Sequence, residues 1–154
     1  MVAHWLMKSE PHVYPWEQLV EDERTHWDGV RNYQARNTMR DDMKIGDMVL
    51  FYHSNTKPPH VAGVAQVCRE GYPDHTAQDP DSNYYDSKAT PENPRWIMVD
   101  IEPVEAMENI VTLPEMRANT SLEGMPLLAK GSRLSVQPVP THHFNEVRRM
   151  GGLQ

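Results

Sequence analysis

The residues best suited to binding chemistry are concentrated in residues 27–37, which read Trp-Asp-Gly-Val-Arg-Asn-Tyr-Gln-Ala-Arg-Asn. Aromatic rings alternate there with arginines, amides and a carboxylate around one glycine. A buried strand would instead be rich in Val, Ile and Leu, and a solvated helix would pair Glu with Lys. Such a mixture suits a nucleobase, which stacks on a ring while polar groups read its edge. The alternative interpretation is structural: Trp27 belongs to the core and Asn32 caps a helix.

Catalytic candidates are few. Lys8, Ser9 and Glu10 form a small potential nucleophile and base set, although neighbours in a strand point to opposite faces and do not all meet. The 8 histidines show no metal-ligand spacing, and the phosphate-loop, dinucleotide-binding, zinc-protease and serine-hydrolase motifs do not occur in the sequence. We therefore expect neither a metal nor a cofactor.

Charge is distributed unevenly along the chain. The formal net charge of -7 argues against a protein that coats nucleic acid through many phosphate contacts. Residues 70–108 carry 2 Lys and Arg against 10 Asp and Glu, whereas residues 30–46 are locally positive. We expect weak binding to unmodified duplex through about two to four phosphate contacts. The candidate phosphate-contacting residues are Arg36, Arg40, Lys57 and Arg133.

Length and composition predict a single domain spanning residues 1–154. A chain of this length buries a full core without disulfides, and a hydrophobic content of 38% fits a soluble protein. The single cysteine, Cys68, and the lack of an apparent signal peptide or membrane span predict an intracellular protein. We expect a monomer that is cytoplasmic, or nuclear in a eukaryote. Cys68 is interpreted as a small buried hydrophobe.

Hydrophobic periodicity predicts the elements that position these residues. A short strand is expected over His4 to Lys8, followed by a helix that begins near Pro15. Ala35, Met39 and Met43 recur every four residues and predict a second helix. The apolar runs at residues 48–52 and 61–67 predict a hairpin, in which Gly63 marks a bulge or a close approach of another group.

The second half of the chain begins with a long excursion over residues 71–94, and loops of this length are usually functional or mobile. A strand is expected from Arg95 to Val104. Thr112 starts a capping box for a short helix, residues 133–138 alternate as a last strand, and Thr141 is expected to cap the final helix.

Taken together, these motifs resemble an EVE domain. The resemblance spans nearly the whole chain and rests on several motifs in the same order. They are Trp5-Leu6-Met7-Lys8-Ser9-Glu10-Pro11, the stretch at residues 27–37, Phe51-Tyr52-His53-Ser54-Asn55, Tyr72-Pro73-Asp74, Tyr84-Tyr85-Asp86, Trp96-Ile97-Met98-Val99-Asp100 and Arg133-Leu134-Ser135-Val136-Gln137-Pro138. The resemblance implies an α+β, PUA-like fold: an open mixed β-barrel surrounded by short helices.

EVE domains are similar to YTH domains, so the resemblance implies a non-catalytic reader of a modified cytosine or adenine in DNA or RNA. The implied base-binding pocket consists of Lys8, Ser9, Trp27, Val30, Arg31, Asn32, Ser54 and Asn55. Val30 stands where YTH domains place a cage tryptophan, a departure from the full aromatic cage. The alternative implied by the related ASCH group is a small amidohydrolase acting on a modified nucleoside through Lys8, Ser9 and Glu10.

Overall fold

The computed structural model describes residues 2–131 and 134–153. In this part of the chain the strands are β1 (His4–Ser9), β2 (Thr25–His26), β3 (Met48–His53), β4 (His60–Pro73), β5 (Ile97–Thr112) and β6 (Val136–Pro138). The α-helices are α1 (Trp16–Asp22), α2 (Tyr33–Asp41), α3 (Leu113–Arg117) and α4 (Thr141–Met150). Short 3₁₀ helices span His75–Gln78, Thr120–Leu122 and Pro126–Leu128.

The strands form one open mixed sheet in the order β2-β5-β4-β3-β1-β6. β1 and β3 run parallel, and the other neighbouring strands pair antiparallel. In the parallel pair Ser9 lies opposite His53, so the carboxyl ends of β1 and β3 lie side by side. This arrangement confirms the predicted α+β class with an open mixed sheet and short helices. It also brings the segments that follow these two strands together.

Each face of the sheet carries its own hydrophobic cluster because successive strand residues point to opposite sides. We call the first the aromatic face. It includes Trp5, Trp16, Trp27 and Phe51, and it is covered by residues of α1 and α2. We call the second the methionine face. It includes Met107, Met116, Met125 and Phe144, and residues of α3 and α4 pack there.

The irregularity predicted at Gly63 is confirmed. The pairing of β4 with β5 shifts register between Val61 and Gly63. A Cβ atom at Gly63 would lie 2.5 Å from the indole of Trp16, so the absence of a side chain lets α1 pack closely on the sheet. The same contact fixes the start of α1 beside β3, where Trp16 and Phe51 meet edge to face at 5.4 Å.

Several predicted boundaries were wrong. β5 continues to Thr112 instead of ending at Val104, because β4 also runs further, to Pro73, and the two strands pair through several register shifts. Helix α4 begins at Thr141 itself, after an N-cap at Pro140 that has no side-chain hydrogen bond. The Thr141 hydroxyl instead lies 3.4 Å from Nδ1 of His4.

Of two further local predictions, one is confirmed and one is wrong. The Thr112 capping box is confirmed, with reciprocal hydrogen bonds to Glu115. Cys68 is half-buried, not fully buried as expected. Arg133, at the start of the predicted last strand, lies outside the described residues. Within residues 2–131 and 134–153, no helix has both the length and the apolar character that a membrane crossing requires.

Candidate functional site

A cavity of about 580 Å³ opens where β1 and β3 end. This volume falls within the range of small-molecule binding sites, roughly 300–1,000 Å³. Three segments form most of its lining: the end of β1 with the loop that follows, β2 with the turn after it, and the residue after β3. Tyr84 from the long loop and Ser135 complete the lining. The lining residues are Lys8, Ser9, Glu10, Val13, Tyr14, Thr25, His26, Trp27, Asp28, Gly29, Val30, Ser54, Tyr84 and Ser135.

The floor of the cavity is held by hydrogen bonds to the carbonyl oxygen of Ser9. The Ser54 N–H donates to it at 3.0 Å, and Nδ1 of His53 lies 3.2 Å from it. The Trp16 N–H donates to Nε2 of His53 at 3.2 Å. Nε2 therefore accepts, and the Nδ1 proton is left to donate to Ser9. One buried imidazole thus ties together β1, β3 and the start of α1.

The ionisation of His53 follows from this position. Burial lowers the pKa of His53, and the neighbouring His60 acts in the same direction, although the hydrogen bond to Ser9 opposes it. The ring is 3% exposed, so protonation would place a charge in a poorly solvated position. The neutral imidazole is the form that the two hydrogen bonds require.

The three residues of the possible hydrolase set all line the cavity, but their contacts separate them. The Ser9 hydroxyl donates to the carbonyl of Tyr14 at 2.7 Å, so its proton is bound by a backbone oxygen instead of a base. The Glu10 carboxylate accepts from Asn55 at 3.1 Å and lies 2.9 Å from Nε2 of His12. Burial lowers the pKa of the Lys8 amine.

Trp27 forms one wall while remaining largely buried. Its side chain is 8% exposed, and its ring packs edge to face against Phe51 at 5.6 Å and Tyr14 at 6.5 Å. The Trp27 N–H donates to the carbonyl of Val99 at 2.7 Å, which fixes the start of the turn against β5. Val30 adds a small apolar surface beside it. Trp27 therefore contributes both to the core and to the cavity.

Asp74 anchors the other end of the turn. Its carboxylate is fully buried and accepts from the Gly29 N–H at 2.9 Å, from Arg31 at 3.0 Å, and from the Thr76 hydroxyl at 2.6 Å. Burial raises the pKa of Asp74, but the hydrogen bonds from Thr76, Gly29 and Arg31 outweigh it and the net pKa is lowered. The ionised carboxylate holds Gly29 in a left-handed conformation, with φ of 79°.

Arg31 does not line the cavity. Its guanidinium donates to Asp74 and to the carbonyl oxygens of Val30 and Tyr84, at 2.8 to 3.2 Å. The structure therefore places this predicted base-contacting residue as a clamp between the turn and the long loop. Asn32 is also away from the lining, since its side chain caps α2 by accepting from Ala35 at 3.0 Å. Asn55 is exposed and contacts Glu10 from the cavity's outer side.

Five of the predicted pocket residues do share the cavity lining, namely Lys8, Ser9, Trp27, Val30 and Ser54. Sequence reasoning missed Tyr14 and Tyr84. The Tyr84 ring packs on Gly29, where an added Cβ would come within 2.7 Å of it. The length of the loop over residues 71–94 was the available signal, yet its fold back onto Gly29 depends on contacts distant in sequence.

The predicted phosphate-contacting residues that the structure describes lie outside the cavity. The Arg36 guanidinium donates to the carbonyl of Arg95 at 2.8 Å and lies over the Tyr33 ring at 4.7 Å. Arg40 is exposed and pairs with Asp41 at 2.8 Å, and Lys57 is also exposed. Arg133 lies outside the described residues. Among the described residues, no group of three or more His, Cys, Asp and Glu is arranged to hold a metal ion.

Comparison with known proteins identifies the fold. Residues 3–150 match the family model described as EVE domain. Human thymocyte nuclear protein 1 is 38% identical over 94% of this chain and 72% of its own length. The structure of a hypothetical protein from Leishmania major superimposes with a TM-score of 0.93 at 47% identity, covering 99% of this chain and 96% of that one.

A further similar solved structure is a complex with DNA. It is human THYN1 protein in complex with 5-methylcytosine containing DNA, with a TM-score of 0.87, 37% identity and 99% coverage of both chains. The ASCH protein from Zymomonas mobilis has a TM-score of 0.53 at 6% identity, which indicates a shared fold alone. The match over residues 3–150, together with these identities, shows that the chain belongs to the EVE domain family.

Proposed function

We propose that this chain is a single-domain, non-catalytic DNA-binding module that holds a modified cytosine in the cavity at the ends of β1 and β3. The observation that carries the proposal is the cavity itself, in which an indole wall faces carboxylate, hydroxyl and ammonium groups. The relative solved with 5-methylcytosine containing DNA supports the ligand class. A cytosine must leave the base stack to enter such a site.

The lining chemistry matches the edges of cytosine. Asp28 and Glu10 provide carboxylates, the groups that accept from the exocyclic amino group of cytosine. Trp27 and Tyr84 provide aromatic surface, and base–aromatic stacking contributes about 1–3 kcal/mol per base. Val30 provides an apolar contact for a methyl substituent. In this proposal the small side chain of Val30 leaves open the space that a third aromatic ring would fill.

The remaining predicted residues take supporting roles in the proposal. Arg31 and Asn32 shape the turn through Asp74 and the start of α2, and Asn55 positions Glu10. Arg36, Arg40 and Lys57, which lie outside the cavity, supply phosphate contacts, and Arg133 supplies a further one. Phosphate contacts position the strand and carry no sequence information, so we assign base discrimination to the cavity alone.

A binding screen tests the proposal. The chain is titrated with otherwise identical labelled oligonucleotides that contain cytosine, 5-methylcytosine, adenine or N6-methyladenine at one central position, each as DNA and as RNA. We expect the 5-methylcytosine DNA to bind most tightly. Equal affinity for cytosine and 5-methylcytosine, at one fixed salt concentration, would contradict the proposal.

The second candidate function is a small amidohydrolase. One observation favours it: Lys8, whose pKa is lowered by burial, shares the cavity with Ser9 and Glu10. The hydrogen bonds oppose it, because the proton of Ser9 is donated to the Tyr14 carbonyl and the Glu10 carboxylate is bound by Asn55. Incubation with N4-acetylcytidine, followed by mass spectrometry, decides between the two. We expect no product above a protein-free control, and steady turnover that disappears in Lys8→Ala would establish the enzyme.

A further inference from the structure

A row of stacked planar groups leads from the rim of the cavity across the surface. The Arg31 guanidinium lies 5.6 Å from the centre of the Tyr84 ring and 5.3 Å from that of Trp96. Trp96 stacks on Tyr33 with ring centres 4.8 Å apart and planes 23° apart. Arg36 lies over Tyr33 at 4.7 Å and ends the row. We call this set of five residues the stacked row.

The row is exposed at two of its three aromatic members and is held by the third, Trp96. Trp96 is buried, and its indole N–H donates to Asp86 at 2.8 Å. Tyr33 is 49% exposed and Tyr84 is 41% exposed. Trp96 packs on one face of Tyr33 and the mobile, charged side chain of Arg36 lies over the other, and exposed rings serve as stacking platforms for unpaired bases.

Charge along the row fits a phosphate backbone at one end. Arg36 and Arg95 lie beside Tyr33, and Arg95 donates a hydrogen bond to the Tyr33 hydroxyl. Two carboxylates lie near the middle of the row: Asp74 pairs with Arg31 at 3.0 Å, and Asp86 lies 3.6 Å from Arg95 and accepts from Trp96. The charge of each carboxylate is thereby partly offset. Exposed rings beside guanidinium groups form the pattern that binds a single strand.

We propose that the stacked row binds the unpaired DNA that flanks the base held in the cavity. The proposal rests on the proposed function for the identity of the captured base, and it extends that function by assigning a path to the strand. Tyr84 belongs to both the cavity lining and the row, so the path is continuous with the base site. The base of the neighbouring nucleotide stacks on the face of Tyr33 that Arg36 covers in the free protein, and Arg36 moves off the ring to contact the adjacent phosphates together with Arg95.

The test compares a ligand that fills only the cavity with one that also covers the row. The probes are 5-methyl-2′-deoxycytidine 5′-monophosphate, an 11-nucleotide single strand with a central 5-methylcytosine, and the same strand with cytosine. Tyr33→Ala should weaken binding of the 11-nucleotide strand by about five-fold or more, the loss of one stacking contact. Binding of the mononucleotide should stay within about two-fold of wild type, since experimental scatter and indirect effects fall below that size.

Two further variants keep the test decisive. Ile110→Ala removes a side chain of similar exposure, 47%, from β5 and should bind all probes as wild type does. Arg36→Gln removes the cation at the end of the row and keeps its three rings, and should weaken binding of the strand but not of the mononucleotide. If Tyr33→Ala and Arg36→Gln remain folded and bind the strand as tightly as wild type, the path does not exist.

Failure of the proposed function gives a different result. If wild type binds the modified and unmodified strands equally, the base assignment fails. If Tyr33→Ala then binds both 11-nucleotide strands more weakly than wild type does, that result would still support the row as a DNA-binding surface. If wild type binds the 11-nucleotide strand no more tightly than the mononucleotide, the inference about the row is overturned while the base assignment stands.

Discussion

The two faces of the sheet bury similar elements with different side chains. The aromatic face is packed with rigid rings that meet edge to face, such as Trp16, Trp27 and Phe51. The methionine face packs Met107, Met116 and Met125 among leucines and valines and contains fewer rings. Both faces bury methionines, so the difference lies in the large rings, which keep their shape. The cavity opens at the edge of the aromatic face, where Trp27 belongs to the core and to the lining.

On the aromatic face, the same residues contribute to folding and to the cavity. On the methionine face, the buried residues contribute to folding alone. A substitution in the turn at residues 27–31 changes the core and the cavity together. A substitution of equal size on the methionine face changes stability alone. Stability and base discrimination, measured side by side, therefore show which face does what.

The largest expected effect comes from Trp27→Ala compared with Phe144→Ala. Both remove a buried ring, 8% and 4% exposed, and each should lower the free energy of unfolding by about 3–5 kcal/mol. Trp27→Ala should in addition lose about 1–3 kcal/mol of binding to the modified base. Chemical denaturation and affinity are measured on the same preparations. A folded Trp27→Ala that keeps its full preference for the modified base would exclude the indole as the stacking surface.

The second-largest effect is expected at Asp74, the buried carboxylate that anchors the turn at residues 27–31. Asp74→Ala leaves the Arg31 guanidinium without its carboxylate partner and removes the acceptor for the Gly29 N–H. We expect a loss of about 3–5 kcal/mol in unfolding free energy, because removing one partner of a buried ion pair leaves the other without a counter-charge. Arg40→Ala, which breaks an exposed pair with Asp41, is the control and should change stability much less. Equal losses would show that Asp74 does not anchor the turn.

Asp74 also shows the limit of sequence reasoning. The resemblance placed Tyr72-Pro73-Asp74 among the family motifs, but the residues bound by Asp74 include Gly29 and Arg31, more than forty positions away in the chain. Arg31 was expected to face a base because its neighbours suit one. Only the tertiary contacts direct its guanidinium to Asp74 and the Tyr84 carbonyl.

Local patterns were more informative where one element determines the outcome. The spacing of Ala35 and Met39 predicted the buried side of α2, and the missing side chain at Gly63 predicted a close contact that Trp16 makes. The length of β5 could not be predicted, because its second half exposes Glu108 and Asn109 and is held by pairing with β4 and by helices that come later. The juxtaposition of Ser9 and Ser54 depends on the parallel pairing of β1 and β3.

A smaller effect is expected in the salt dependence of nonspecific binding. Unmodified duplex should bind with a slope that corresponds to about two to four phosphate contacts. Arg36→Ala should reduce that slope by about one and weaken modified and unmodified DNA alike. Affinities at several salt concentrations give the slope. Two results would contradict this account: a slope typical of a highly basic DNA-coating protein, or an Arg36→Ala defect confined to the modified base. Either would show that phosphate contacts and base recognition are not divided between Arg36 and the cavity.

The smallest effect is the pH dependence contributed by His53. Because burial lowers its pKa in the folded state, the unfolded chain binds this proton more readily. The free energy of unfolding should therefore be highest above the unfolded pKa of about 6.5 and fall as pH decreases towards the folded pKa. His53→Gln keeps an acceptor for Trp16 and a donor for Ser9, and should show a shallower fall. His4 and His143, whose pKa values are also lowered by burial, remain in both proteins. An unchanged slope would show that His53 does not contribute.

The central claim is that the cavity itself reads the modified base, and filling it tests that claim most directly. Ser54→Phe places a ring in the cavity while leaving the backbone hydrogen bond from Ser54 to Ser9 in place. The measurement is the ratio of dissociation constants for cytosine and 5-methylcytosine strands, in wild type and in folded Ser54→Phe. We predict a clear preference in wild type and a ratio of about one in the variant, with weak binding of both strands retained through phosphate contacts. A variant that is folded and still prefers the modified strand as strongly as wild type would contradict the account.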